Sequence, residues 1–327
     1  MADTDCKIFM YNSQKSYIDY QNYYIDGIRL LGISFKENAS NTDVSPLSFS
    51  DKHSKHVGQY IASFTNGKQV KLAIDTSDGK EISSKDICDW ADIYFKSNYW
   101  ETTIEYQEKI VPIVNGNGMV NISKLKELRQ QEKTYDLAFI SRIHGGREHN
   151  IRLFEKISKV KGNKRLTAIL NEFDKKQPEY QRRLEAAGVT CRYKPLNRDD
   201  LWNVLSKARY VLIHAGKHLC ISWRMIDLLC LGSSIISDAP PYPQWPQPLV
   251  NGIHYISLGI DRPLSGDEAE DKYYDAIQDN LTAILKNFEL QTLLSQNAQS
   301  YFDEHADPKK VTQYILDCIM AQGLHNV

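Results

Sequence analysis

The sequence predicts an α/β protein built from two open, mostly parallel sheets in tandem and closed by a helical tail. Three observations predict it. Short β-branched runs alternate with longer amphipathic segments, the pattern of helices layered on a parallel sheet. The alternation occurs twice, on either side of the Gly/Asn-rich stretch beginning NGNGMVN, and from about Asp267 onward the pattern is helical throughout. A chain of 327 residues is the length of about two ordinary domains. Its 42% hydrophobic and 25% charged residues support a packed core and exclude a disordered or collagen-like chain.

In the first half the expected strands are KIFMY, LGISF, VKLAID, DIYFKSN and KIVPIVN. The expected helices are YIDYQNYYIDGIRLL, HSKHVGQYIASFT, SSKDICDWA and the ETTIEYQEK stretch. This half reads as an N-terminal domain over residues 1–124, its alternation of strands and helices ending near residue 120. NGNGMVNISKLKELRQQEKTY carries a turn and a charged run and reads as a linker. The second domain, residues 125–327, has strands at DLAFIS, RLTAIL, VTCRYK, YVLIHA, SSIISD and HYISL. Its helices are REHNIRLFEKISKV, KKQPEYQRRLEAAG, RDDLWNVLSKA and SWRMIDLLCLG. The tail follows as DAIQDNLTAILKNF, LQTLLSQNAQSYFDE and KKVTQYILDCIMAQ.

Composition narrows the function. Lys and Arg number 40 against 41 Asp and Glu, a net charge of -1, so a general attraction to nucleic acid is not expected. The N-terminal stretch has no apolar signal core, and no window approaches the roughly 18 apolar residues of a membrane span. A cytoplasmic protein is expected. The six cysteines are scattered without a CxxC pair and read as buried free thiols. His144 and His149 read as loop-borne and lack the i,i+4 spacing of a helical zinc motif, so no metal site is expected.

Open α/β sheets bind ligands beyond the carboxyl ends of their strands, so two such domains facing each other are expected to form a cleft. After DLAFIS come Arg142 and the loop IHGGREHNIR. Gly145 and Gly146 allow close approach of backbone, the next helix offers free N–H groups, and Arg147 adds a cation. The alternative is a plain strand–helix turn with solvated arginines. After YVLIHA, the loop Gly216-Lys217-His218 leads to a helix opening at Ser222. That hydroxyl can cap the helix where Lys217 and Arg224 converge with first-turn amides on an anion. Asp227, three residues after Arg224, shares its face and could accept from ribose hydroxyls; the alternative is an i,i+3 surface ion pair. Lys194, at the end of VTCRYK, adds a further cation at the same edge. The five-proline loop APPYPQWPQP follows the next strand.

Over about residues 135–260 these features resemble the donor-binding half of GT-B fold glycosyltransferases, with the exostosin-like branch nearest. The carriers are Ser222-Trp223-Arg224, Asp227, Leu231-Gly232 and SSIISD with Asp238, preceded by FISRIHGGREHNIR. Asp227 departs from the Glu of many relatives, and Ser141 from their Gly. The resemblance implies two Rossmann-like domains and metal-independent transfer of a hexosyl or pentosyl group from a nucleotide-sugar donor to a glycan or glycolipid acceptor. It implies no cofactor, the nucleotide sugar being a co-substrate. Fixed cations and a helix N-terminus suit the charge that develops on a leaving nucleoside diphosphate, with Arg224 the principal contact. Surface polysaccharide or glycolipid assembly is the expected setting, with membrane contact only through a lipid-linked acceptor.

An inverting transfer needs a base for the acceptor hydroxyl. VKLAID runs into Asp75-Thr76-Ser77-Asp78-Gly79, making Asp75 or Asp78 the candidate, unless DTSDG is a turn whose aspartates cap amides. Lys96, Asn98 and Tyr99 form another acceptor-side candidate. Two other readings stand beside the transferase: a non-catalytic two-lobed sugar or nucleotide-binding protein, and a nucleotide-sugar epimerase.

Overall fold

A computed structural model describes residues 6–11, 18–37, 56–99, 108–143, 147–171, 178–214, 220–241, 243–260, 270–274 and 276–324. The chain divides into two compact units. The first comprises Met1–Val120, Pro243–Pro248 and Asp303–Val327; the second comprises Asn121–Tyr242 and Leu249–Phe302.

The first unit holds β1 (Cys6–Tyr11), α1 (Ile18–Leu30), β2 (Ser34–Glu37), β3 (Val57–Phe64), β4 (Gln69–Asp75), α2 (Lys85–Trp90), β5 (Ile93–Lys96) and β6 (Ile110–Pro112). Its sheet runs β2-β1-β3-β4-β5-β6. It is mixed: β1–β2, β4–β5 and β5–β6 are parallel, whereas β3 is antiparallel to both β1 and β4. HSKHVGQYIASFT, expected as a helix, therefore contains strand β3. Residues 57–62 of that strand are all buried, so both of its faces are covered there, and this erases the in–out alternation that marks a half-exposed strand. The hairpin signal lay next to it. Asn66-Gly67 turns the chain into β4, with Gly67 at φ +83 and the Phe64 amide donating to the Lys68 carbonyl at 2.9 Å. Most of ETTIEYQEK lies outside the described residues.

The second unit holds α3 (Ile122–Leu128), β7 (Tyr135–Arg142), α4 (Arg147–Ser158), β8 (Lys164–Ile169), α5 (Pro178–Ala186), β9 (Thr190–Arg192), α6 (Arg198–Ser206), β10 (Ala208–Ile213), α7 (Arg224–Leu231), β11 (Ser234–Ser237) and β12 (Ile256–Ser257). Helices α8 (Ile277–Lys286) and α9 (Phe288–Tyr301) follow. All the strand pairs are parallel, in the order β12-β11-β10-β7-β8-β9. Every strand expected in this half is present. The expected linker instead contains α3: Asn121 caps it by accepting from the Lys124 amide at 3.0 Å, and Leu125 and Leu128 are buried. Arg129 then ties the end of α3 to α7, donating to the Cys230 carbonyl at 2.7 Å.

The core of this unit joins Leu137, Phe139, Ile151, Phe154, Leu212 and Ile236 from the sheet and α4 to Leu281 and Leu294 of the tail helices. The last helix, α10 (Pro308–Leu324), belongs to the first unit, whereas the sequence reading carried the whole tail with the second. It is held there by α1. The Thr312 hydroxyl donates to the Tyr24 carbonyl at 3.3 Å, and a Cβ on Gly27 would lie 2.2 Å from the Pro308 carbonyl oxygen. Glycine is required at that crossing. None of the six cysteines is in a disulfide; Cys6, Cys88, Cys220 and Cys230 are buried as expected, whereas Cys191 and Cys318 are partly exposed.

Candidate functional site

Numbered within its own unit, the second sheet has strand order 6-5-4-1-2-3, the doubly wound order that places a ligand crevice at the carboxyl ends of strands 1 and 4. Those strands are β7 and β10. Their pairing reaches Phe139–Leu212, while β7 continues beside β8 as far as Arg142–Ile169. The end of β7 thus extends past its partner on the β10 side, and Arg224 fills that position. One of its terminal nitrogens donates to the Ile140 carbonyl. Burial pulls the Arg224 pKa down and Arg142 adds to this, while Asp227 opposes it. An arginine stays charged through such shifts, so this edge carries two guanidinium groups, with Arg142 exposed at the end of β7.

Ser222 behaves as a cap. Trp223 already has helical angles (φ -50, ψ -30), and the Arg224 amide donates to the Ser222 hydroxyl at 3.4 Å, a long bond. Gly232 closes α7 at φ +64, with its amide reaching back to the Leu228 and Leu229 carbonyls.

Asp227 does not present a carboxylate to solvent. It is buried, and its Oδ2 accepts from the Trp202 indole at 3.0 Å. One of its carboxylate oxygens is thus turned toward α6 rather than to solvent. Lys194 lies exposed two residues beyond β9. Gly146 and Lys217 lie outside the described residues, as does the side chain of Arg147, which opens α4. Arg152 is engaged by Glu148 and Asp271.

The sequence reading missed a second group at the same edge. His149 lies within α4, not in a loop, and is fully buried. Its Nε2 is 2.8 Å from Asp238 Oδ2, and its Nδ1 is 2.5 Å from the Tyr274 hydroxyl. His214, directly after β10, hydrogen-bonds the same Asp238 Oδ2 through Nδ1. The remaining oxygen, Oδ1, accepts from the Ala239 amide at 2.9 Å. Burial alone would raise the Asp238 pKa; the His214 charge and the hydrogen bonds from both imidazoles hold it well below the carboxylate range. The three ligand-type atoms lie within 4.8 Å of one another. The Asp238 oxygen lies between the two ring nitrogens and joins them in a hydrogen-bonded chain, and the same three atoms are of the types that ligate a metal ion. A signal was available in the sequence: His214 and Asp238 each directly follow a strand.

In the first unit, Asp75 ends β4 and is fully buried. It accepts from the Ser77 amide (2.9 Å), the Ser83 amide and hydroxyl (both 3.0 Å) and the Tyr94 hydroxyl (2.7 Å), with Lys96 Nζ at 3.6 Å. Burial would raise its pKa, but Lys96, the Ser77 amide and the Tyr94 hydroxyl outweigh it and hold the carboxyl below its ordinary value. A carboxylate so fully engaged has no lone pair for an acceptor proton, so Asp75 is corrected from candidate base to structural anchor. Lys96, 1% exposed, also donates to the Ser77 carbonyl (3.1 Å) and hydroxyl (2.9 Å), and Asn98 donates to that carbonyl at 3.0 Å. Both therefore hold the DTSDG turn. Asp78, half-buried on the turn itself, is the carboxylate left as a candidate base. Tyr99 pairs as a bridge with Gln244 of the proline loop.

No family model and no curated protein matches the sequence. Solved structures do resemble it. A glycosyltransferase from Rickettsia africae superposes with TM-score 0.50 at 11% identity, over 93% of this chain and 88% of that one. Anabaena HepE in complex with UDP and glucose gives 0.48 at 13% identity, over 72% of this chain and 65% of that one. S. aureus TarM, in complex with fondaparinux, α-GlcNAc-glycerol and UDP, gives 0.43 at 10% identity, over 80% and 64%. This chain thus spans about two thirds of the length of HepE. At these identities the likeness is one of fold: two α/β sheets in tandem with C-terminal helices, as in GT-B glycosyltransferases. Among the described residues no helix is long and apolar enough to cross a membrane.

Proposed function

We propose that this chain is a glycosyltransferase that binds a nucleotide-sugar donor on its second unit and passes the sugar, hexosyl or pentosyl, to a hydroxyl of a glycan or glycolipid. The observation that carries this reading is Arg224 anchored on the Ile140 carbonyl at the β7–β10 switch point, with Arg142 ending the same strand. Departure of a nucleoside diphosphate concentrates negative charge on its terminal phosphate. Guanidinium groups fixed beforehand at that point stabilise the charge without reorganising. In this reading the two arginines perform that task without a bridging metal, and the Ser222-Trp223-Arg224 opening of α7 relates the chain to the exostosin-like branch. The fold shared with the Rickettsia enzyme agrees with it. On the acceptor side the first unit offers Asp78 as base, should the transfer invert the anomeric centre.

The test is transfer itself. Nucleotide sugars are incubated with acceptor glycans and released nucleoside diphosphate is measured, with and without acceptor. Losing one such contact costs about 3 kcal/mol in the barrier, so Arg224→Ala is expected to lower turnover at least a hundredfold in a folded protein. Near-normal turnover in that variant would remove Arg224 from the site. Conversion of the sugar nucleotide with no acceptor present would favour epimerase chemistry.

A further inference from the structure

The chain Tyr274–His149–Asp238–His214 runs from the buried interior to the carboxyl end of β10, one of the two switch-point strands. Its members differ sharply in access. His149 and Asp238 are fully buried, whereas the His214 side chain keeps 15% of its surface. His214 Nδ1 is committed to Asp238, and among the described residues its Nε2 has no hydrogen-bond partner. The imidazole is therefore held by its inner nitrogen and offers its outer one at the ligand edge. Such a chain is more than is needed to fill a core, since each buried polar group in it requires a partner of matching donor or acceptor character.

The Tyr274 hydroxyl, kept protonated by burial, is hydrogen-bonded to His149 Nδ1, and His149 Nε2 is hydrogen-bonded to Asp238. Asp238 is ionised and also receives the proton on His214 Nδ1. The described charged and titratable groups around His214 are Asp238, in hydrogen bond, and His149, whose ring centroid is 4.7 Å away, with Tyr274 behind it.

We infer that His214 contacts an anionic phosphate oxygen of the donor through Nε2, and that Asp238, backed by His149 and Tyr274, is the residue that positions it. The inference rests on the donor-site reading above and extends it to a third group at the same edge, an imidazole held by its inner nitrogen. No bond is made or broken at His214; its imidazolium adds a charge-assisted hydrogen bond to the contacts of Arg142 and Arg224.

Binding of UDP, ADP, GDP and inorganic pyrophosphate to the full chain is measured by calorimetry from pH 5.5 to 8.5, for wild type, His214→Gln, Asp238→Asn and Tyr274→Phe, each checked for folding by circular dichroism. Wild type is expected to bind at least one nucleoside diphosphate more tightly at pH 5.5 than at pH 8.5. His214→Gln should weaken binding tenfold or more at pH 6 and flatten the pH profile. Asp238→Asn should move the inflection to lower pH, and Tyr274→Phe should move it in a folded protein with no buried charge removed. The His214→Gln and Asp238→Asn losses should not add in the double variant, because both act through one imidazole. Nucleotide binding with an unchanged pH profile in His214→Gln would overturn the inference and leave the donor site standing. Binding of none of the four probes by folded wild type would overturn the donor site, and the inference with it.

Discussion

Replacing Asp75 by Asn separates anchoring from catalysis. The substitution conserves shape but leaves one accepting oxygen where the carboxylate had two. Four donors, from Ser77, Ser83 and Tyr94, then compete for it, and an NH2 group faces donors it cannot satisfy. Lys96, 1% exposed, loses its counter-charge at 3.6 Å. Breaking a buried pair by removing one partner costs about 3–5 kcal/mol, or roughly two to nearly four decades in the ratio of folded to unfolded protein. Urea denaturation followed by tryptophan fluorescence reads this as a lower midpoint at an unchanged slope. Because the folded pKa of Asp75 is depressed, its contribution is fully present above its unfolded value of about 4 and fades as pH falls through the lower folded value. The gap between wild type and variant should therefore narrow in acid. Adding Lys96→Met to Asp75→Asn should recover part of the loss, since no unpaired buried charge then remains. A loss below about 1 kcal/mol at pH 7, or turnover per folded molecule that falls a hundredfold while stability holds, would refute the anchoring role.

Asp78→Asn should do the opposite, leaving the urea midpoint within about 0.5 kcal/mol of wild type while lowering turnover by a factor of about a hundred to ten thousand if Asp78 is the base; unchanged turnover would point to a retaining transfer. Gly232→Ala should destabilise the second unit by about 1–3 kcal/mol. The residue sits at φ +64, and a Cβ there would lie 2.4 Å from Gln299 side-chain atoms; a melting temperature equal to wild type would contradict that packing.

The alternation of the second half was legible in the sequence because a parallel strand covered on both faces reads as a continuous apolar run. The opening of α7 was legible too, since Ser222 and Arg224 act within one helical turn of each other. What failed was set by tertiary neighbours. β3 carries a run of buried residues that neither strand nor helix periodicity describes, because both faces of the strand are covered. Asp227 looks available in sequence, but the Trp202 indole that occupies it comes from α6, 25 residues away. Asp75 keeps its position at a strand end, yet Tyr94 and Lys96 from the neighbouring β5 engage its carboxylate. The chain through His149, Asp238 and His214 joins residues 89 and 24 positions apart, so no local spacing announces it.

The most direct measurement is a thermal-shift screen of wild type and Arg224→Ala against the common nucleoside diphosphates. A ligand at a hundred times its Kd stabilises by about 2.7 kcal/mol, a rise of several degrees for units of this size. At least one nucleoside diphosphate should raise the wild-type melting temperature by that amount, and the same ligand should leave folded Arg224→Ala nearly unmoved. A screen in which none shifts wild type, or in which Arg224→Ala responds as wild type does, would contradict an anionic donor site at the end of β7.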